Sequence, residues 1–217
     1  MHLRYVFGAL LAALTCVGAQ AEALRVLVEN AQGQPLEDAV VIAVPTAGIR
    51  SPPKPREEIV DQIDREFVPY VEPILVGSTV RFPNKDNIRH HVYSFSPAKS
   101  FELPLYKGTP AAPILFDKPG VVVLGCNIHD WMVGYIYVSE SPYFAKTGAD
   151  GKALLNELPK GQYRVRVWHP DLQTPEEGNA RLVEVGEQNQ APQVWQLTTQ
   201  PAIRVHRAPI PGTDRYR

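Results

Sequence analysis

Cysteine and methionine are scarce in this chain, two of each in 217 residues. Cys16 and Met1 lie in the first 21 residues, and Cys126 and Met132 are the only others. An exported chain with a single remaining cysteine has no internal disulfide to staple it, so that thiol is an inert buried residue, an intermolecular linker or a ligand. Charge of one sign is also lacking: 22 Lys and Arg face 23 Asp and Glu. That balance argues against nucleic acid or a broad anionic surface as partner. Beyond the leader no stretch is apolar for the roughly 18 residues that a membrane helix requires. Glycine (15) is outnumbered by proline (21), which favours turns and short strands over long helices. A hydrophobic content of 44% with 21% charged residues supplies a core and argues against wholesale disorder.

Residues 1–21 read as a secretory signal peptide. Arg4 gives a positive start, residues 6–17 an apolar stretch too short to span a bilayer comfortably, and Ala19-Gln20-Ala21 a cleavage signal. Cleavage would leave Glu22 as the first residue and place the protein in the periplasm. An uncleaved anchor is the alternative; lipid attachment at Cys16 is disfavoured by the poor fit of Ala13-Leu14-Thr15.

Residues 24–29 alternate like a half-buried strand, 31–35 (AQGQP) read as a turn and 39–44 as a second apolar strand, together a hairpin. Residues 46–56, rich in proline and charge, read as a linker. Short strand candidates follow at 71–76, 79–83, 91–96, 121–124 and 133–138, divided by turn signals at 76–78, 84–87 and 118–120. Val60, Ile63 and Phe67 share a helical spacing, but the segment is short and Pro69 follows, so the helical signal carries little weight. Strands at this spacing imply a sandwich. Between 147 and 198 come turns at Asp150-Gly151 and 159–161 and a clean alternation over 162–168. There Tyr163, Val165 and Val167 face one way and Arg164 and Arg166 the other. The fold class is all-β. Residues 199–217, with four Arg against one Asp, are expected to be a disordered or loosely docked basic tail.

The segment 125–132 (GCNIHDWM) sets Cys126, His129 and Met132 at C-x2-H-x2-M spacing. A thiolate, an imidazole and a thioether on one tight loop suit copper, whereas zinc prefers Cys and His without Met. A blue-copper site needs two His and one Cys in a plane with a weak axial Met, so a second histidine must come from a strand remote in sequence. His90 and His91 both qualify by type. Adjacent strand residues point to opposite faces, so only one of them reaches the metal.

The stretch from Thr79 (TVRFPN) through His90-x-Val92 resembles the ligand strand of the small cupredoxins, where an Asn precedes the ligand His by six residues and a Val follows it by two. Asn84, His90 and Val92 meet both spacings. Residues 116–120 (FDKPG), the C-x2-H-x2-M loop and Met132-x-Gly134-x-Ile136-x-Val138 resemble the end of the same fold, with the loop spacing of amicyanin and pseudoazurin. The resemblance spans about residues 62–138. It implies a Greek-key β-sandwich over 57–142 holding one copper per chain. His90, Cys126, His129 and Met132 would be the ligands, and His91 a surface or supporting residue. Asn84 would hydrogen-bond around the Cys126 loop and tie the two ligand segments together. The chain departs from the family in lacking loop prolines, having Asn127, Ile128 and Asp130 instead, and in the plain VVVLG before Cys126. Asp130 also charges the apolar patch through which the family's loop histidine exchanges electrons; Trp131 could supply apolar contact.

A second resemblance brackets the first. Residues 26–45, 147–151, 158–163 and 166–170 are similar to the carboxypeptidase regulatory-like, transthyretin-like sandwich. This implies a second small β-sandwich, split into 22–45 and 146–198 by the inserted copper unit, or two independent flanking pieces. His169 at a strand end reads as structural.

The function implied is a periplasmic type 1 copper protein, a one-electron carrier between a redox donor and acceptor, and not an enzyme. A copper chaperone or sensor using the same four residues is the alternative. A copper oxidase or reductase needs further His-rich sites, and five histidines outside the leader with no H-x-H pair weigh against it. A carbohydrate or adhesion role is the structural alternative for the flanking halves. Proteins of this layout often carry a methylamine utilisation label, which reflects amicyanin similarity rather than a role.

Overall fold

Val40, Val41, Ile42 and Ala43 are all buried, where a strand with one wet face would alternate. Such a continuous apolar run suits a strand covered on both sides, and that is the position of β2 (Val40–Pro45). In the computed structural model, which describes residues 21–49, 54–110, 112–186 and 191–200, β2 lies in the sheet β13-β2-β15-β16. The other strands of this sheet are β13 (Tyr143–Lys146), β15 (Gly161–Trp168) and β16 (Arg181–Val185). One face of the sheet packs on a second sheet, β14-β1-β17, made by β1 (Ala21–Asn30), β14 (Lys152–Pro159) and β17 (Gln193–Leu197). Their shared core holds Val26, Val28, Val41, Tyr163, Val165 and Trp195.

The other face of β2 meets a different pair of sheets. The larger, β6-β12-β11-β8-β9, contains β6 (Val71–Leu75), β8 (His90–Ser96), β9 (Lys99–Tyr106), β11 (Gly120–Gly125) and β12 (Val133–Ser139). The smaller, β10-β7-β3, contains β3 (Glu57–Ile59), β7 (Thr79–Arg81) and β10 (Ile114–Leu115). A hairpin of β4 (Asp61–Ile63) and β5 (Glu66–Val68) flanks them. Phe67, Val80, Phe82, Val92, Leu124 and Ile136 are in the core between these sheets. Val40 and Ile42 pack against Val71 and Tyr137, with Tyr135 and Trp168 at the edge of the contact. The chain is therefore all-β, with four sheets stacked face to face.

One expectation changes here. Strands β1 and β2 do not pair as a hairpin; they lie in facing sheets, each finding partners more than 100 residues later (Val26 opposite Ala153, Val41 opposite Val167). A turn signal marks a reversal but not whether the returning strand stays in its sheet. Arg166, on the strand face opposite Tyr163, Val165 and Val167, is buried: Nη2 donates to Glu140 at 2.7 and 2.9 Å and Nε to Glu176 at 3.1 Å, beside the Tyr137 hydroxyl. Its face of the strand is outward for one sandwich and covered by the other. The Asp150-Gly151 turn is present, Gly151 having φ 71° and a Cβ position only 2.6 Å from the Val28 carbonyl oxygen, a place no side chain could occupy. The leader, apart from Ala21, and residues 201–217 of the tail lie outside the described residues. Among the described residues no helix is long and apolar enough to cross a membrane.

Candidate metal centre

Antiparallel pairing of Gly125 with Tyr93 sets the end of β11 beside the middle of β8, so that the chain beyond Gly125 runs towards His90. The register between β8 and β9 slips after His90: His90 faces Tyr106 but Val92 faces Leu103. The additional residue falls in β9 around Pro104, which has no N–H to give a ladder. His90 and His91 then diverge. His90 is fully buried with Nδ1 4.0 Å from the Cys126 sulfur; His91 directs Nε2 to Glu102 at 2.8 Å. His91 is itself buried, not at the surface, and its Nδ1 has no partner among the described residues.

The loop 126–132 supplies the rest. Cys126 is buried, and Nδ1 of the half-buried His129 lies 3.9 Å from its sulfur. The Met132 N–H donates to the His129 carbonyl at 2.9 Å, turning the chain so that Met132 enters the same core as Cys126. The two imidazole rings are 5.0 Å apart, and Trp131 lies 5.0 Å beyond His129. One ligand atom from each of His90, Cys126 and His129 falls within 4.8 Å of the others. Burial holds His129 below the usual histidine range, and nearby His90 and Arg65 push the same way against Asp86.

Asn84 is buried as a supporting residue would be, but it does not reach the Cys126 loop. Its amide donates to the carbonyls of Ile88 and Tyr106, both at 2.8 Å, and its oxygen accepts the Asp86 N–H at 3.0 Å. It braces the approach to His90 and the end of β9 instead. Two nearby groups carry no motif. Asp86 accepts from His90 Nε2 at 2.7 Å. Tyr106 donates to the Phe82 carbonyl and accepts from Gln62, its phenol pushed up to about 12 chiefly by burial. In sequence Asp86 is one polar residue of a turn signal, and its position four residues before His90 was the only available hint.

No family model matches the chain, and no curated protein matches it. Among solved structures it is similar to a copper-containing nitrite reductase from Thermus scotoductus SA-01, at 30% identity over 46% of this chain and 25% of that one, TM-score 0.36. It is similar to a purple cupredoxin from Nitrosopumilus maritimus at 26% identity over 38% and 99%, TM-score 0.33. A pseudoazurin from Sinorhizobium meliloti follows at 26% over 40% and 76%, TM-score 0.32. These neighbours are cupredoxins at low identity and partial coverage. The chain spans about a quarter of the reductase's length.

Proposed function

We propose that this protein is a periplasmic type 1 copper protein that carries single electrons between redox partners. One copper per chain would be held by Cys126, His90 and His129, with Met132 as weak axial donor. The observation that carries the proposal is the convergence of a buried thiol and two imidazoles, from segments 36 residues apart, within 4.8 Å of one another. The donor set fits an ion. Bonds of the lengths zinc makes, about 2.1 Å to nitrogen and 2.3 Å to sulfur, would separate ligand atoms by roughly 3.5–3.8 Å, and the 3.9 and 4.0 Å seen here leave room for an ion of that size. When bound, copper supplies a one-electron couple whose potential the axial ligand tunes.

The chain's own part is rigidity and access. Cys126 and His90 sit at the ends of paired strands and are buried, so their positions do not depend on solvent. His129 lies between exposed Ile128 and exposed Asp130, and an electron would enter and leave on that side. We further read residues 57–142 as a copper unit inserted into a carboxypeptidase regulatory-like sandwich formed by 22–45 and 146–198, and residues 1–21 as the export signal.

Reconstitution with Cu(II) tests the site. One copper per chain and an intense visible thiolate-to-copper band are expected, abolished by Cys126→Ser. Met132→Leu should keep the band and raise the potential, because losing a weak donor destabilises Cu(II) more than Cu(I). His90→Ala should bleach the site and His91→Ala should spare it. A colourless Cu(II) adduct with weak d-d absorption would sink the assignment. A colourless Cu(I) adduct that passes its metal rapidly to a chelator would assign copper handling instead.

A further inference from the structure

A neutral imidazole carries one proton on one of two nitrogens, and only the bare nitrogen can bind a metal. In His90 the nitrogen facing Cys126 is Nδ1, so the proton belongs on Nε2. That atom is 2.7 Å from Asp86 Oδ2, inside a fully buried ring environment. A carboxylate only accepts, so the contact is Nε2–H donating to Asp86, and it selects the tautomer with Nδ1 bare.

Asp86 does not depend on the metal for its own position. Its Oδ1 accepts the Asp64 N–H at 2.8 Å and its Oδ2 the Arg65 N–H at 2.9 Å. Asp64 and Arg65 form the turn of the β4–β5 hairpin, with φ of 54° and 63°. Two successive left-handed residues aim adjacent amides at one carboxylate, a small cradle for an anion. The Asp86 N–H is itself held by Asn84 at 3.0 Å. We propose that Asp86 is the positioning residue of this centre: anchored on the 64–65 turn, it fixes the tautomer and orientation of His90 before any metal arrives. The proposal rests on reading His90 as a ligand, and it also follows that the carboxylate makes His90 a stronger donor, favouring Cu(II).

The full mature chain is compared with Asp86→Asn, which keeps the shape and removes the charge, and Asp86→Ala, which removes both. In the metal-free wild type, long-range ¹⁵N NMR should show His90 as the Nε2–H tautomer; in Asp86→Ala it should become a mixture. With copper added, both variants should bind 10- to 100-fold more weakly, and Asp86→Asn should keep the visible band at a higher midpoint potential. If the variants lose thermal stability while tautomer, affinity and potential stay as in the wild type, Asp86 merely caps the turn and the proposal is overturned. If the wild type gives no coloured copper site yet the tautomer still depends on Asp86, the copper assignment fails and the positioning role stands.

Discussion

Gly125, directly before Cys126, has no side chain because another residue occupies its space. A Cβ built there would lie 2.7 Å from Cζ and 2.8 Å from Oη of Tyr93. Gly125→Ala must therefore push Tyr93 aside or open the β8–β11 pair, at a cost of about 1–3 kcal/mol. Tyr93→Ala in the same chain should relieve most of that cost. Urea unfolding of the two single variants and the double variant measures this directly, and strictly additive penalties would show that the ring is not the obstacle. The same pair shows why the site was only partly legible in the sequence. The proposed ligands are visible as a motif because three of them share one short loop. What packs on Gly125, and what holds His90, comes from across a strand or from a loop, where position depends on a register that spacing does not encode. Asn84 illustrates the same point: the resemblance implied bonds around the Cys126 loop, and its partners are Ile88, Tyr106 and Asp86 instead.

Among the strands, β6 carries the clearest pH signal. Glu72 sits in a strand whose neighbours Val71 and Ile74 are buried. Its carboxyl is pushed up from 4.5 to about 7, mostly by burial, with Lys146 opposing and Glu58 adding. The folded protein thus holds this proton more tightly than the unfolded chain. The stabilisation from the protonated form is full below about pH 4.5, declines as pH rises towards 7, and is gone above that. Glu72→Gln should flatten this decline and be more stable than wild type at pH 8; thermal melts at pH 5 and 8 check it, and parallel curves would rule it out. Element by element, apolar-rich strands bounded by turn signals were readable, as at 71–76, 121–124 and 133–138. The short β3, β4, β5 and β10, and β9 with Pro104, were not, since two or three residues held by neighbouring strands leave no periodicity to detect.

For the molecule as a whole, the arrangement of sheets makes truncation informative. A fragment starting at residue 57 lacks β1 and β2, which leaves β14 and β15 without their central partners and exposes both sheet edges and core. Aggregation is expected. The fragment 57–142 keeps every residue of the core around Phe82, Val92 and Ile136, together with the four proposed ligands, and should fold and colour with copper. Dispersed amide resonances from 143–200 alone would refute the insertion. From sequence, two sandwiches were legible but their contact was not, because Arg166 and Tyr137 look like ordinary strand residues until both faces of β15 are seen to be covered.

Only residues 140–142 separate β12 from β13, and they are tied down at several points. The Ser139 hydroxyl donates to the Ser141 carbonyl at 2.7 Å, and the Ser141 hydroxyl donates to the Ala43 carbonyl of β2 at 2.5 Å. A hinge has nowhere to form in so short and so bonded a passage. The Ser141–Ala43 bond joins the end of the β12 passage to β2, so Ser141→Ala, which removes that bond, acts where one sandwich passes into the other.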